Sequence, residues 1–265
     1  MNIKTAWLAV ALLLPLSIAA QTAAVITMEK EPHHHLAFRN ESVKVFKVEV
    51  SPGDSIVLHR HDKDTVAIAI GDQEVTVGIP GKPDVHQKNA DAQVRLQRGG
   101  YVHSTHVDGK APYHTVAVEL MHPQTNLHNV CAAAIPDQPL DCPAPPENAT
   151  ANNTSQTLLE STETRVRLMR IASGENIILG GLQYSMLIVA LDQADFAATS
   201  DKATDETLKP GDFLWIAGGG AARVFKNNGK NDVRFILFVF TSAAPVARLP
   251  MTPHKMHPPR TLSPQ

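Results

Sequence analysis

An internal repeat constrains the fold of this 265-residue chain more than any other feature of its sequence. Residues 43–61, VKVFKVEVSPGDSIVLHRH, align without a gap on residues near 163–182 at an offset of 121. Residues 98–119, RGGYVHSTHVDGKAPYHTVAVE, match residues 218–240 at an offset of 120. The shared positions are turn glycines and alternating apolar residues, including Gly53 with Gly174 and Gly100 with Gly220. Because self-similarity at a fixed spacing indicates repeated structural units and alternation indicates strands, we predict two related β-domains in tandem.

The first 20 residues have the pattern of a secretory signal peptide. Lys4 precedes a short apolar run, and Ala19 and Ala20 come before polar Gln21. The apolar run is too short to span a bilayer, so we expect a secreted or periplasmic protein with no membrane span after cleavage. The net charge of -2 is mild and argues against a nucleic-acid partner.

Two histidines one residue apart follow the first turn glycine. Residues i and i+2 of a strand share a face, so His59 and His61 can point into one pocket. With Gly53 before it and Gly71 after it, this stretch resembles the first motif of the cupin family: G, five residues, H-x-H, three or four residues, E, six residues, G.

A second stretch extends the resemblance. Gly100 and His103 lie at the glycine and the histidine of the family's second motif, G-x-x-H-x-x-x-N. Two positions depart from the family pattern. Thr65, or Val66 under the looser spacing, stands where the motif has its metal-binding glutamate, and Val107 stands where it has asparagine.

The resemblance implies an all-β chain built from two tandem cupin barrels of the jelly-roll type. It also implies one metal site that consists of His59, His61 and His103 and lacks the usual carboxylate. Imidazole ligands suit a divalent transition metal, and Fe, Zn, Mn, Ni and Cu all remain open. Three protein ligands leave positions for water or substrate.

The second repeat carries none of these ligands. Gly180, Leu182 and Arg223 stand in the places of His59, His61 and His103, and none of the three offers a lone pair to a metal. We therefore expect the metal in the N-terminal barrel and a structural role for the degenerate C-terminal barrel. The division that we predict is a signal peptide (1–20), the N-terminal barrel (21–130), a linker (131–158), the C-terminal barrel (159–246) and a tail (247–265).

The predicted linker is rich in proline and asparagine and contains both cysteines of the chain. In an exported protein, Cys131 and Cys142 are expected to form a disulfide. Two free thiols or a metal site remain the alternatives.

Three further residues lie near the predicted ligands in the sequence. Thr65 and Asp64 follow the His-x-His strand, and a one-residue bulge could turn Asp64 inward. His114 could point inward as a fourth ligand or behind the ligands, although a core histidine with satisfied hydrogen bonds is the more common case.

Other histidines have simpler interpretations. The run His33 to His35 is interpreted as a solvated segment before the first strand, with weak metal binding as the alternative. His106 lies three residues past His103, which in a strand places it on the opposite face, at the surface.

Two functions fit the pattern. The first is a metal-dependent enzyme of the dioxygenase, isomerase or hydrolase class, with a small-molecule substrate. The second is an extracytoplasmic ligand-binding or storage protein without turnover. A general acid or base in the pocket would favour the enzyme, and the candidates are Asp64, Tyr113, His114 and Glu119. A homodimer is compatible with either function.

Overall fold

A computed structural model describes residues 24–130, 153–181, 183–196 and 206–241. Apart from one 3-10 turn, Met28–Lys30, every helix or strand in these ranges is a β-strand. The predicted signal peptide, Cys131, Cys142 and the tail after residue 246 lie outside the described residues. Within the described ranges, no helix is long and apolar enough to cross a membrane.

The N-terminal barrel consists of two five-stranded sheets. Its strands are β1 (Ile26–Thr27), β2 (His34–Arg39), β3 (Val43–Val50), β4 (Ser55–Arg60), β5 (Thr65–Ala69), β6 (Gln73–Gly78), β7 (Val85–Asn89), β8 (Val94–Gln97), β9 (Val102–Val107) and β10 (Tyr113–Leu120). One sheet has the order β2-β3-β10-β5-β8, and the other has the order β1-β4-β9-β6-β7. Neighbours that are distant in sequence, such as β3 with β10 and β4 with β9, give the crossed connections of a jelly roll.

The C-terminal barrel repeats this topology. Its strands are β12 (Asn153–Glu160), β13 (Thr164–Ile171), β14 (Asn176–Leu179), β15 (Ser185–Ala190), β16 (Ala194–Phe196), β17 (Glu206–Leu208), β18 (Phe213–Ile216), β19 (Arg223–Lys226) and β20 (Val233–Phe240). The order β12-β13-β20-β15-β18 corresponds strand for strand to β2-β3-β10-β5-β8. The opposite layer consists of two separate pairs, β14-β19 and β16-β17. The prediction of two tandem jelly-roll barrels is confirmed.

Strand register preserves the repeat seen in the sequence. Ile56 pairs with Thr105 between β4 and β9, and Ile177 pairs with Phe225 between β14 and β19, at offsets of 121 and 120. The first turn glycines also match, since Gly53 has φ +84° and Gly174 has φ +79°. At the second turn the alignment slips by one residue, because the partner of Gly100 in the left-handed region is Gly219 rather than Gly220.

The barrel boundaries differ from the predicted ones. Strand β12 begins at Asn153, inside the segment predicted as linker. Its polar start resembles a linker in composition, yet an outer strand with exposed side chains accommodates such residues while its backbone pairs with β13. A two-residue strand, β11 (His128–Asn129), pairs with the other edge of β12 and so joins the sheet of the second barrel.

One hydrophobic cluster spans both barrels. Alternate residues of β5 and β10 that face away from the first barrel's interior, including Val66, Ile68 and Val118, pack in one cluster with Ile236 and Phe238 of β20. The intervening residues of β20, among them Phe235 and Leu237, fill the interior of the second barrel. Burial on both faces explains why residues 235–240 of β20 form an unbroken apolar run.

Candidate metal centre

The three predicted ligands meet at one point in the first barrel. His59 on β4 lies directly opposite His103 on β9 in the strand register. His61 follows β4, and its backbone is fixed from both sides: its N–H donates to Tyr101 O at 2.9 Å, and Gly100 N–H donates to its carbonyl at 2.7 Å. Gly100 has φ +89°, a conformation in which glycine is strongly favoured.

The imidazole nitrogens converge. His61 Nε2 lies 3.2 Å from His59 Nε2 and 3.0 Å from His103 Nε2. All three residues are buried, with exposed fractions of 0%, 2% and 7% for His59, His61 and His103. Within the described ranges, this is the one cluster of three or more His, Cys, Asp or Glu side chains whose donor atoms are close enough to hold an ion.

The protonation states suit metal binding. Burial and then the neighbouring His34 lower the pKa of His59 to about 4, and burial together with the facing imidazoles lowers the pKa of His103 to about 3. Burial likewise holds the pKa of His61 well below its ordinary value. Neutral imidazoles at neutral pH keep a ring lone pair for a metal.

One contact assigns a tautomer. His59 Nδ1 lies 2.9 Å from Val57 O, and because a carbonyl can only accept, the proton sits on Nδ1 and the lone pair on Nε2. The three Nε2 atoms face one another, and hydrogens cannot lie between every pair of them. Their lone pairs would therefore repel, so a cation at the meeting point fits the donor set. These residues therefore fit a transition metal.

Sequence reasoning missed a buried pair behind His59. His34 is 8% exposed, its ring centroid lies 4.7 Å from that of His59, and its Nδ1 lies 2.8 Å from Glu31 Oε2. Glu31 is 2% exposed and also accepts from the backbone of His33 at 2.8 Å. The interpretation of the run as solvated is thus wrong for His34, although His35 is exposed. Alternation in β2, which sends His34 inward and His35 outward, was the available signal.

The other site residues predicted from the sequence do not join the three histidines. Asp64 accepts from Gly99 N–H at 2.9 Å and pairs with Arg98 at 3.0 Å. Thr65 is buried and donates its hydroxyl to Lys63 O at 3.2 Å. No bulge turns Asp64 inward, because the loop that carries Gly99 holds it.

Residues of β10 alternate between two environments. Tyr113 and Thr115 line the cavity described below, whereas His114 points to the other side, where its Nε2 lies 3.6 Å from Glu49 Oε1 and close to Gly211 of the second barrel. His114 is therefore not placed as a fourth ligand or behind the ligands. Glu119 is buried and pairs with Lys44 at 3.0 Å. His106 is exposed and lies 2.8 Å from the Ser55 hydroxyl, as its spacing predicts.

A cavity of about 520 Å³ opens beside His103, which is the one of the three histidines among its lining residues, and we call it the His103 cavity. Strands β5 to β10 contribute its walls, and its lining includes Ala69, Val77, Arg95, Tyr101, His103 and Tyr113. The small residues Ala67 and Ala69 face it, and they leave space for a ligand of small-molecule size.

The corresponding strands of the second barrel carry no imidazoles. Gly180 directly follows β14, and Arg223 begins β19 opposite Leu179. A Cβ added at Gly180 would lie 3.2 Å from Ala221 O and from the Ile216 side chain, so the backbone is packed closely where the first barrel has its ligands.

Comparisons with solved structures identify the fold. AerE from Microcystis aeruginosa is similar with a TM-score of 0.55 and 12% identity over 80% of this chain and 94% of its own. A salicylate 1,2-dioxygenase mutant from Pseudoaminobacter salicylatoxidans, solved in complex with gentisate, is similar with a TM-score of 0.52 and 10% identity over 76% of this chain and 69% of its own. The fold is that of a bicupin. No protein-family model and no curated protein sequence matches the chain.

Proposed function

We propose that this bicupin is a metal-dependent enzyme of the dioxygenase class that acts on a small organic molecule in its first barrel. The observation that carries the proposal is the convergence of three buried, neutral imidazoles, with Nε2 distances of 3.0 and 3.2 Å, beside a cavity of about 520 Å³. His59, His61 and His103 would hold one divalent transition metal there. A metal bound by three imidazoles supplies Lewis acidity and, if it is redox-active, a site for oxygen.

The protein's own residues supply the rest of the site. The cavity walls orient the substrate and exclude water, while the Val57 carbonyl fixes the ring of His59. Tyr101 lines the cavity next to His103, and the centroids of the two rings lie 4.8 Å apart. Burial raises the pKa of Tyr101, which keeps its hydroxyl protonated at neutral pH and able to donate a hydrogen bond.

Two observations favour the dioxygenase class over the hydrolase and isomerase classes. Asp64, His114 and Glu119, three of the four candidate general acids and bases, are held outside the His103 cavity, and only Tyr113 lines it. Hydrolysis and isomerisation depend on proton transfer by such groups, whereas metal-centred oxygen chemistry relies on them less. The similarity in fold to a salicylate 1,2-dioxygenase supports the same choice.

The scarcity of general acids and bases in the cavity is also compatible with a second function. A metal-loaded cavity without an evident general base also suits a ligand-binding protein that performs no turnover. Oxygen uptake separates the two: iron-loaded protein with a bound ligand consumes oxygen only if it is an enzyme.

Elemental analysis of the purified protein tests the metal site. We expect about one transition-metal ion per chain, its loss in His59→Ala, and its retention in His106→Ala. His106 is the matched control because it lies on the same strand as His103 and is exposed. Metal that survives in His59→Ala would show that the ion binds elsewhere. A retained ion with no oxygen uptake on salicylate, gentisate or other bound small acids would favour the ligand-binding function.

A further inference from the structure

The His103 cavity has an unbalanced charge. Three cationic residues, Lys82, Arg95 and Arg98, are among its lining residues, and none of the lining residues is Asp or Glu. Lys82 is exposed, and Arg98 is already paired with Asp64 at 3.0 Å. Arg95 is the remaining positive charge.

Arg95 is half-buried and has no ion-pair partner among the residues that the structure describes. It is the second residue of β8 and pairs in register with Ala67 of β5. Its Nε is buried and makes no hydrogen bond, and no ion pair to Arg95 occurs within the described ranges. Arg95 as a whole is half-buried, but a buried donor without an acceptor costs free energy, so the folded protein carries a penalty at its Nε.

The residues around Arg95 indicate which kind of ligand could pair with its guanidinium. Burial lowers the pKa of Arg95, and the nearby Tyr101 and Tyr113 partly offset this effect, but an arginine stays charged at neutral pH. Tyr101 connects Arg95 to the metal centre, because its ring lies against that of His103. The cavity lining also includes the apolar residues Val75 and Val77 of β6.

We propose that Arg95 binds the carboxylate of a small organic acid whose body lies along Tyr101 toward the three histidines. A carboxylate carries one negative charge, which balances one unpaired guanidinium, and its two oxygens match the guanidinium fork. Asn89 Oδ1, a second buried lining atom without a partner, is placed to accept a hydrogen bond from a ligand donor. The inference rests on the proposed function, since it names the substrate class of the same site.

Calorimetric titration of the full-length, metal-loaded protein with benzoate, salicylate and hexanoate tests this assignment. Benzamide is the uncharged analogue of benzoate, and inorganic phosphate is the competing anion. We expect at least one carboxylate to bind, benzamide to bind at least tenfold more weakly than benzoate, and Arg95→Gln to weaken carboxylate binding about 10- to 100-fold. Arg98→Gln also removes a positive charge from the cavity, but that charge is already paired with Asp64. The variant should therefore weaken carboxylate binding less than about threefold.

A stability measurement guards against a variant that simply misfolds. Because the unpaired guanidinium is costly, Arg95→Met should raise the melting temperature of the ligand-free protein while abolishing its carboxylate binding. A lowered melting temperature would assign Arg95 a structural role and overturn the proposal. Binding of none of the three acids, equal binding of benzamide and benzoate, or tighter binding of phosphate would overturn it as well.

Failure of this inference is distinguishable from failure of the proposed function. Metal content reports on the three histidines and should be unchanged in Arg95→Gln. If the protein holds no metal but binds carboxylates through Arg95, the carboxylate site is supported and the proposed enzyme function is contradicted. If the protein holds a full complement of metal but binds no carboxylate, the metal site is supported and the carboxylate site is contradicted.

Discussion

Glu31 lies in an environment that its place in the sequence does not suggest. It is fully charged, 2% exposed and bonded to both His33 and His34. Burial opposes ionisation, but the hydrogen bonds from His34 and His33 outweigh it and lower the pKa of Glu31 from 4.5 to about 2. Through His34, this carboxylate supports the ring of His59.

We predict that Glu31→Gln lowers the free energy of unfolding by about 2 to 3 kcal/mol at pH 7, since charge-assisted hydrogen bonds in a buried site are lost. A carboxyl group whose pKa is lowered in the folded state makes its full contribution to stability when the pH is above its pKa in the unfolded state. Its contribution is lost as the pH falls from about 4.5 toward 2. Urea titrations at pH 7 and pH 3 measure the difference between variant and wild type, which should shrink in acid.

Glu41→Gln is the control for this measurement. Glu41 is exposed, so its replacement should change stability by less than about 0.5 kcal/mol at either pH. A difference between Glu31→Gln and wild type that stays constant between pH 7 and pH 3 would contradict the assigned pKa.

At the scale of elements, the contact between β10 and the turn before β18 depends on a glycine. Gly211 has φ +84°, and a Cβ there would lie 2.6 Å from His114 Nε2. Gly53 has the same φ, with no atom within 4 Å of an added Cβ. Both glycines therefore have a backbone conformation that favours glycine, but only Gly211 lies where an added Cβ would clash with a neighbour.

We predict that Gly53→Ala costs about 1 kcal/mol through backbone strain alone, and that Gly211→Ala costs up to about 1 kcal/mol more because the half-exposed ring of His114 must move. Thermal or chemical unfolding measures both. In the His114→Ala background the extra cost of Gly211→Ala should disappear. An equal cost for both glycines in the wild-type background would show that the turn before β18 does not press on β10.

At the scale of the whole molecule, the two barrels are joined by more than their connecting chain. Their apolar faces form one cluster, and ion pairs cross between them: Lys47 lies 2.6 Å from Asp212, and Arg234 bridges Asp91 and Asp192 at 2.8 and 2.7 Å. Neither barrel can leave the other without exposing these residues to water.

We predict that both barrels unfold in one cooperative transition, because separation would expose the shared core. Differential scanning calorimetry should give one peak with equal calorimetric and van't Hoff enthalpies. Phe238→Ala, which truncates a fully buried ring in that core, should lower the melting temperature of the whole peak rather than split it. Two resolved peaks in the wild-type protein would mean that each barrel unfolds independently and that the interface does not stabilise either one.

Export and the disulfide stay predictions. If residues 1–20 are a signal peptide, the protein recovered from an exporting host begins near Gln21 and carries a Cys131–Cys142 bridge. Intact-mass analysis with alkylation measures both features at once. A retained N-terminus, or two thiols alkylated without reduction, would count against export.

The sequence by itself determined the repeat, the strand pattern and the three histidines. These features are local or periodic: turn glycines at Gly53 and Gly174, alternation along each strand, and an H-x-H spacing that shares one strand face. They follow from covalent spacing and backbone sterics, so they can be read without knowing which strands are neighbours.

Only the tertiary structure decided which residues join the site. Asp64 and His114 are near the ligands in sequence but are held by Gly99 and by the second barrel, whereas Glu31 and His34 lie 25 or more positions before His59 and reach it through β2. Nor does any local pattern reveal that Arg95 lacks an ion-pair partner within the described part of the chain. Such proximities depend on sheet order and on how faces pack, which are non-local properties, and burial then fixes their charge states by removing water.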